Sequence, residues 1–353
     1  MLSKPITVLI LLLLYFSIPK FDLFFVPGSV TGIRIQDLIC LFLFVILFNY
    51  KINSKTFLLL LFLMIHLLYS LMVWSSYTSI YGFLRLIEYF FVAKGFQLII
   101  EKGYWKHFYN LIFIYIFFIS LGQYLTLLPN FDPGRGIIYS KQFSGPFGTP
   151  AELTYFMIPL LYLNYHVGRN SVTKLFAASF VLFNGVKAGI LGFIILAAQQ
   201  MKLSKLIIIL PVLAFAIYFL IYEYLYIGLE FLRTTFSDTS AQSSISDPSL
   251  NSRINKWSTS MTELYQQPLA LIFGFGVYSY TGALDGGILK FLFEFGLLAF
   301  VYILYAIFRK SFSFFMVVLA TSFLFDAYQS SVVMPILICT YLVINQRSVN
   351  KLK

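Results

Sequence analysis

The sequence predicts an all-α polytopic membrane protein, and three observations predict it. The first is composition: over 353 residues, 59% are hydrophobic, 20% aromatic and 11% charged, with a mean hydropathy of +0.85. A soluble chain of this length would need far more charged surface. The second is segment length. Apolar runs of roughly 17–25 residues follow one another almost without a break, the length a bilayer demands, whereas a β-barrel would show short alternating segments. The third is where the charge sits. Despite a net charge of +11, Lys and Arg fall in small clusters between apolar runs. That is the pattern of topology signals, not of one nucleic-acid patch.

Taken in order, the apolar runs predict about 12 transmembrane helices: 6–26, 33–49, 56–75, 81–100, 108–128, 150–167, 175–185, 188–201, 206–227, 286–308, 312–326 and 331–346. The whole chain, 1–353, reads as a single integral membrane domain. By the positive-inside rule the short connections holding Lys51 and Lys55, Lys102 and Lys106, Arg169 and Lys174, Lys202 and Lys205, Arg309 and Lys310, and Arg347, Lys351 and Lys353 are cytoplasmic. The third and fourth of these share a side only if the chain crosses twice between them. "NGVKAG", Asn184 to Gly189, then becomes an outward turn carrying Lys187, and both termini lie inside. Cys40 and Cys339 lie inside apolar runs and read as small apolar residues, not a disulfide. The first apolar run has no small-residue cleavage site, so no cleavable signal peptide is expected.

Two long connections face outward, about 129–149 and 228–284. They are the long polar segments of the chain, and functional loops tend to be long. They also carry Arg135, Lys141, Arg233, Arg253 and Lys256 on the side that short loops keep free of positive charge. Long loops are exempt from that rule, but the concentration asks for a reason.

The candidate residues each have a plain reading beside the functional one. "GFGVYSYTG", from Gly274, lacks the glycine spacing and preceding strand of a dinucleotide site and reads as a tight turn. "NSRINKWSTSMTELYQQP" reads as a short interfacial helix, capped by Asn251 or Ser252 and ended by Pro268. On it Arg253 and Trp257 lie four apart on one face. Trp257 is a headgroup anchor in the plain reading; in the other, Arg253 binds a phosphate with its planar fork. Asp285 opens an apolar helix, where a carboxylate favours the helix dipole or serves as a general base. Lys290 and Glu294, four apart in that helix, are a pair or a functional group inside a span, and Arg85 and Glu88, three apart, form a similar couple. The histidines are His66 within a span and His107 and His166 near cytoplasmic ends. With none in the outer loops, and no Asp-x-Asp, HExxH or CxxC, no metal site or other cofactor is expected there.

At this point a resemblance enters. "SRINKW…QQPLALIFGFGVYSY…DGGILKFLFEFGLLAFVYIL" resembles the C-terminal half of the O-antigen polymerase and ligase superfamily. "NGVKAGILGFIILAA" resembles its Ser-Arg-x-Gly hairpin, with Lys187 where Arg is usual. "GRGIIYSKQFSGPFGTPAELTYFMIPLLYL" is similar to the preceding outer loop and span, with Thr-Pro-Ala-Glu in place of Pro-Asn, and "GSVTGIRIQDLICLFLF" to the second span. The string covers roughly residues 28–308. Ligases of the family carry a His at the helix start that Asp285 occupies here, so the polymerase (Wzy-type) branch is favoured.

The resemblance implies a GT-C-like fold and a bacterial inner-membrane glycosyltransferase of lipopolysaccharide biosynthesis, its active site facing the periplasm. It implies that undecaprenyl-pyrophosphate-linked oligosaccharide is the substrate. The growing glycan passes to the non-reducing end of a new lipid-linked unit, without metal. On that basis Asp285 takes the acceptor proton, with Glu294 or Glu152 in reserve. Arg135 and Arg253 hold the pyrophosphate, assisted by Lys187, Lys141 and Arg85. Trp257, Tyr278 and Tyr280 stack on sugars or sit in an aromatic belt. Membrane lipid and a chain-length regulator are the implied partners, and nucleic acid is not one. A ligase acting on lipid A–core, a flippase or transporter, and a purely structural assembly subunit are the competing expectations. A transporter would show paired discontinuous helices or an internal repeat.

Overall fold

In the computed structural model the described residues are 3–19, 22–25, 32–47, 54–132, 136–138, 145–147, 150–167, 226–235, 248–277, 279, 286–322 and 330–350. The fold is of the helical class, with two small hairpins. Its elements begin with α1 (Lys4–Ser17), strands β1 (Asp22–Phe25) and β2 (Gly32–Arg34), α2 (Ile35–Leu47), α3 (Ser54–Trp74), α4 (Thr78–Glu101) and α5 (Trp105–Tyr124). Strands β3 (Asn130–Asp132) and β4 (Gly136–Ile138), a 3-10 turn (Gly145–Phe147) and α6 (Pro150–Val167) follow. Residues 226–235 are helical. The chain then forms α7 (Pro248–Gln266), α8 (Pro268–Phe273), α9 (Gly287–Lys310), α10 (Phe312–Ser322) and α11 (Val333–Asn350).

Several boundaries depart from the apolar runs. The first run, 6–26, does not stay helical. α1 stops at Ser17, and Ile18 is extended (φ −80°, ψ 126°) because the following Pro19 disfavours the helical region for its predecessor. Asp22–Phe25 instead pairs antiparallel with Gly32–Arg34. The interfacial helix starts at Pro248, one turn before its expected caps, since proline is preorganised for a first helical position. Pro268 does not simply end it: Gln267 is extended and Pro268 opens α8. The two connections expected to face outward both contain secondary structure among their described residues. One carries β3, β4 and the 3-10 turn, the other α7 and α8.

By contacts the chain forms two compact units. Unit 1 comprises Met1–Leu58, Leu84–Phe193 and Gln329–Lys353; unit 2 comprises Leu59–Phe83 and Ile194–Tyr328. Unit 1 has an aromatic core. The Phe16 ring lies 5.4 Å from Phe96, 6.1 Å from Phe108 and 5.5 Å from Phe156, in tilted or edge-to-face arrangements that ring quadrupoles favour. Its polar links are long-range: Trp105 Nε1 donates to Asn164 Oδ1 at 3.1 Å, and Tyr15 Oη to the Ser331 carbonyl at 2.8 Å. Unit 2 packs Leu264, Ala270 and Phe293 under Trp74, Met261 and Phe275.

Outward faces are apolar as well. Leu41 (58% exposed), Phe42 (61%) and Val45 (65%) line the outside of α2, and Leu298, Val301, Tyr302 and Tyr305 that of α9. Among the described residues one helix, Gly287–Lys310, is long and apolar enough to cross a membrane; Lys4–Ser17, Ile35–Leu47, Leu61–Trp74 and Val333–Asn345 are shorter apolar helices.

Candidate active site

The glycine-rich stretch is the centre of unit 2. α8 ends at Gly274 (φ +80°), and Gly276 is also left-handed (φ +108°). α9 is not continuous: Gly296, at φ 76° and ψ 173°, separates a first half from a second. The two irregular segments meet backbone to backbone. A Cβ on Gly274 would lie 2.1 Å from the Glu294 carbonyl oxygen, and one on Gly296 2.3 Å from that of Ile272. Only glycine allows both the backbone angles and the approach. The turn at Gly296 takes the preceding carbonyls out of helical register, so they need other donors. The Phe275 and Gly276 amides supply them, to Phe293 and Glu294, each at 3.0 Å.

Side chains of α3 complete the arrangement. His66 Nε2 donates to the Phe273 carbonyl at 3.0 Å, and its ring stacks on Phe295 at 5.0 Å. Tyr69 Oη reaches the Leu269 carbonyl at 3.3 Å. The sequence places His66 inside an apolar run but assigns it no role; its partner, Phe273, lies 207 residues away.

At the other end of the loop, Gly286 is buried against Trp257. A Cβ there would lie 2.9 Å from Trp257 Nε1. Trp257 is 4% exposed and meets Phe231 edge-on at 6.3 Å, so it packs inside the protein instead of anchoring in headgroups. Arg253, one turn earlier on α7, therefore lies on the same face as the chain entering α9. Asp285 immediately precedes Gly286 but falls outside the described residues, as do Arg135, Lys141, Lys187, Tyr278 and Tyr280. Lys290 (3% exposed) and Glu294 (0%) are both buried in the first half of α9.

Arg85 belongs to a different group, in unit 1. It is buried and ion-paired to Asp37 and, at 3.1 Å, to Glu88. Asp37 Oδ2 also accepts the Arg34 amide at 2.8 Å, capping the first turn of α2. The pairing reading of Arg85 and Glu88 thus gains a partner, Asp37, that spacing could not supply. Glu152 is buried and accepts from Ser330 Oγ at 2.9 Å. Arg233 is bidentate to Glu230 at 3.0 and 2.6 Å; that hydrogen bonding raises its already high pKa and gives one of the cations expected outside a local partner. Among the described residues no group of His, Cys, Asp and Glu could hold a metal ion.

The chain matches no family model, no curated protein and no solved structure. The site therefore rests on its own chemistry. Trp257 meets Gly286, Arg253 lies one turn before Trp257 on α7, and the carboxylates in reserve, Glu294 and Glu152, are buried. A carboxylate at 0% exposure cannot reach a substrate hydroxyl in this conformation, and one engaged by Ser330 is already serving as an acceptor.

Proposed function

We propose that this protein is a multi-pass membrane glycosyltransferase, a polysaccharide polymerase that moves a growing glycan from undecaprenyl pyrophosphate to a new lipid-linked unit at the periplasmic face. The observation that carries it is the contact of Gly286 with Trp257, which brings the start of α9 to the Arg253 face of α7. Two groups the transfer needs, a carboxylate for the acceptor proton and a cation for the leaving pyrophosphate, then come from neighbouring chain segments. The burial of Glu294 and the engagement of Glu152 favour Asp285 as the base. Arg253 keeps its leaving-group role. Arg85, neutralised by Asp37 and Glu88, is better read as structural.

The membrane reading is supported by apolar side chains on outward helix faces, which water would penalise. It is also supported by which helix ends meet in unit 1. Gln36 with Ile18, Asp37 with Arg85, and Glu152 with Ser330 all join ends that the lysine and arginine clusters assign to the outside. Trp105 with Asn164 joins two assigned to the inside.

The break in α9 favours a second reading, a transporter or flippase, since transporters bind ions at unwound backbone. Against it, the Phe293 and Glu294 carbonyls at this break already accept from the Phe275 and Gly276 amides. Spoken-for carbonyls make a structural joint, not an ion site.

Purified protein given synthetic lipid-pyrophosphate-linked repeat units without Mg²⁺ should produce a ladder of longer glycans. Transfer confined to lipid A–core would make it a ligase, and flipping in liposomes without any transfer would refute the enzyme. Arg253→Ala should lower the rate on the order of 10²–10³-fold without lowering membrane insertion.

A further inference from the structure

We propose that the end of unit 1 where α4 turns into α5 binds the phosphate of an anionic membrane lipid, with Lys102 and Lys106 on its rim and the Asn164 amide beneath. The site rests on the membrane reading and does not need the transferase reading. Three observations carry it. The first is which helix ends meet there. Gln36 Nε2 donates to the Ile18 carbonyl at 2.8 Å and the neighbouring Asp37 pairs with Arg85, so the end of α1 lies with the start of α4. Further along both helices, a Cβ on Gly95 would meet the side chains of Val8 and Leu12, each at 3.4 Å. α1 and α4 are therefore antiparallel, and Lys4 lies toward the end where α4 finishes. Trp105, which opens α5, donates to Asn164 at 3.1 Å and brings the last turn of α6 to the same end.

The second observation is unpaired positive charge. Lys4, Lys102 and Lys106 are exposed, and among the described residues no carboxylate pairs with any of them. Glu101 accepts from Gln97 at 3.0 Å. Arg85 and Arg233, at ends expected outside, are by contrast held by carboxylates. Between the two lysines, nothing lies within 4 Å of a Cβ on Gly103, so the turn is open. Aromatic rings flank it, Tyr104 beside His107 at 6.3 Å and Tyr165 beside His166 at 5.4 Å, as suits headgroup depth. The third observation is a donor without an acceptor. An indole N–H only donates, so Trp105 meets the Asn164 amide oxygen and fixes the other atom as Nδ2. That Nδ2 is buried and has no hydrogen-bond partner, one residue from Tyr165, which is 38% exposed. A buried donor is costly unless an acceptor comes to it, and phosphate oxygens are strong acceptors.

Native mass spectrometry of the full-length protein in detergent, titrated with phosphatidylglycerol or phosphatidylcholine, tests the site. Phosphatidylglycerol should bind about tenfold tighter or more, and Lys102→Gln should weaken it about fivefold, Lys102→Gln with Lys106→Gln about thirtyfold. Arg309→Gln with Lys310→Gln removes equal charge from the end of α9 and should leave the affinity unchanged. Asn164→Asp keeps the acceptor that Trp105 uses and puts an anion where the donor was, so it should weaken binding about tenfold or more. No preference for phosphatidylglycerol, wild-type affinity in the Lys102 and Lys106 pair, or equal loss in the α9 pair overturns the site. Wild-type affinity in Asn164→Asp overturns the part given to the amide. Displacement of the lipid by an equal concentration of inorganic phosphate would make the ligand a soluble phosphate and overturn the lipid. Failure of the wild-type protein to float with liposomes overturns the membrane reading, and the site with it. Flotation without a headgroup preference overturns the site alone.

Discussion

At the scale of single residues, the strongest constraint lies on Gly274 and Gly296. Each combines a left-handed backbone with a carbonyl of another segment inside 2.5 Å of any added Cβ. Alanine at either position must both strain its own backbone and force two segments apart. The expected cost is about 2 kcal/mol or more, read as a lower melting temperature in detergent. Gly103 is the control: it is equally left-handed (φ +79°), but nothing lies within 4 Å of a Cβ. Gly103→Ala should cost only about 1 kcal/mol. A Gly296→Ala protein melting like Gly103→Ala would refute the close approach. Arginines divide in the same manner. Arg85→Ala strands Asp37 and Glu88 in a largely buried group, and should cost about 3 kcal/mol of stability. Yield of folded protein should fall with it, and turnover per folded molecule should not. Arg253→Ala should do the reverse.

At the scale of elements, α7 offers a direct choice between two physical roles. If Trp257 anchors in headgroups, its removal scarcely affects stability in detergent. If it packs against Gly286 and Phe231, Trp257→Ala opens a cavity costing about 3 kcal/mol, and Trp257→Phe costs less than about 1.5 kcal/mol. Thermal melts of the two variants decide it, and equal melts would restore the anchor. The elements also mark where sequence pattern runs out. Helices α3 to α6 follow the apolar runs closely, because run length and local propensity act within one segment. The end of α1 was readable too, had Ile18-Pro19 been weighed above hydropathy. The break in α9 was not. "FEFGLL" looks like any helix that tolerates a glycine, and the break exists because Ile272 and Gly274, some twenty residues earlier, press against it. Asp37 was not singled out, and His66 was placed in a span without a role, for the same reason. Their partners, Arg85 and Phe273, lie 48 and 207 residues away. The glycines' role as turns was readable because it is a backbone property; the group of residues they serve was not.

At the scale of the whole molecule, the alternation of sides can be tested through α4. Its 24 residues span about 36 Å at ~1.5 Å per residue, enough for a hydrocarbon core of about 30 Å. The turn before it contains Tyr77, 73% exposed, and the turn after it contains Lys102, also exposed. The charge pattern sets Lys102 inside, and unit 2 sets the tip near Tyr77 beside the glycine loop, since a Cβ on Gly276 would meet Ser79 Oγ at 2.6 Å. If that loop faces the periplasm, so does Tyr77. The native thiols give little background, because Cys40 and Cys339 are both buried. A membrane-impermeant maleimide should therefore label Tyr77→Cys in spheroplasts, and Lys102→Cys only after permeabilisation. Leu127→Cys, 74% exposed beyond the end of α5, should label with Tyr77→Cys, since one more crossing returns the chain to the outside. Labelling of Lys102→Cys in intact spheroplasts would invert the topology and put the Arg253 face on the cytoplasmic side. A polymerase fed from the periplasm could not then work at that face. Labelling of all three alike would mean that α4 and α5 do not cross at all, and the membrane reading would fail before the question of catalysis arose.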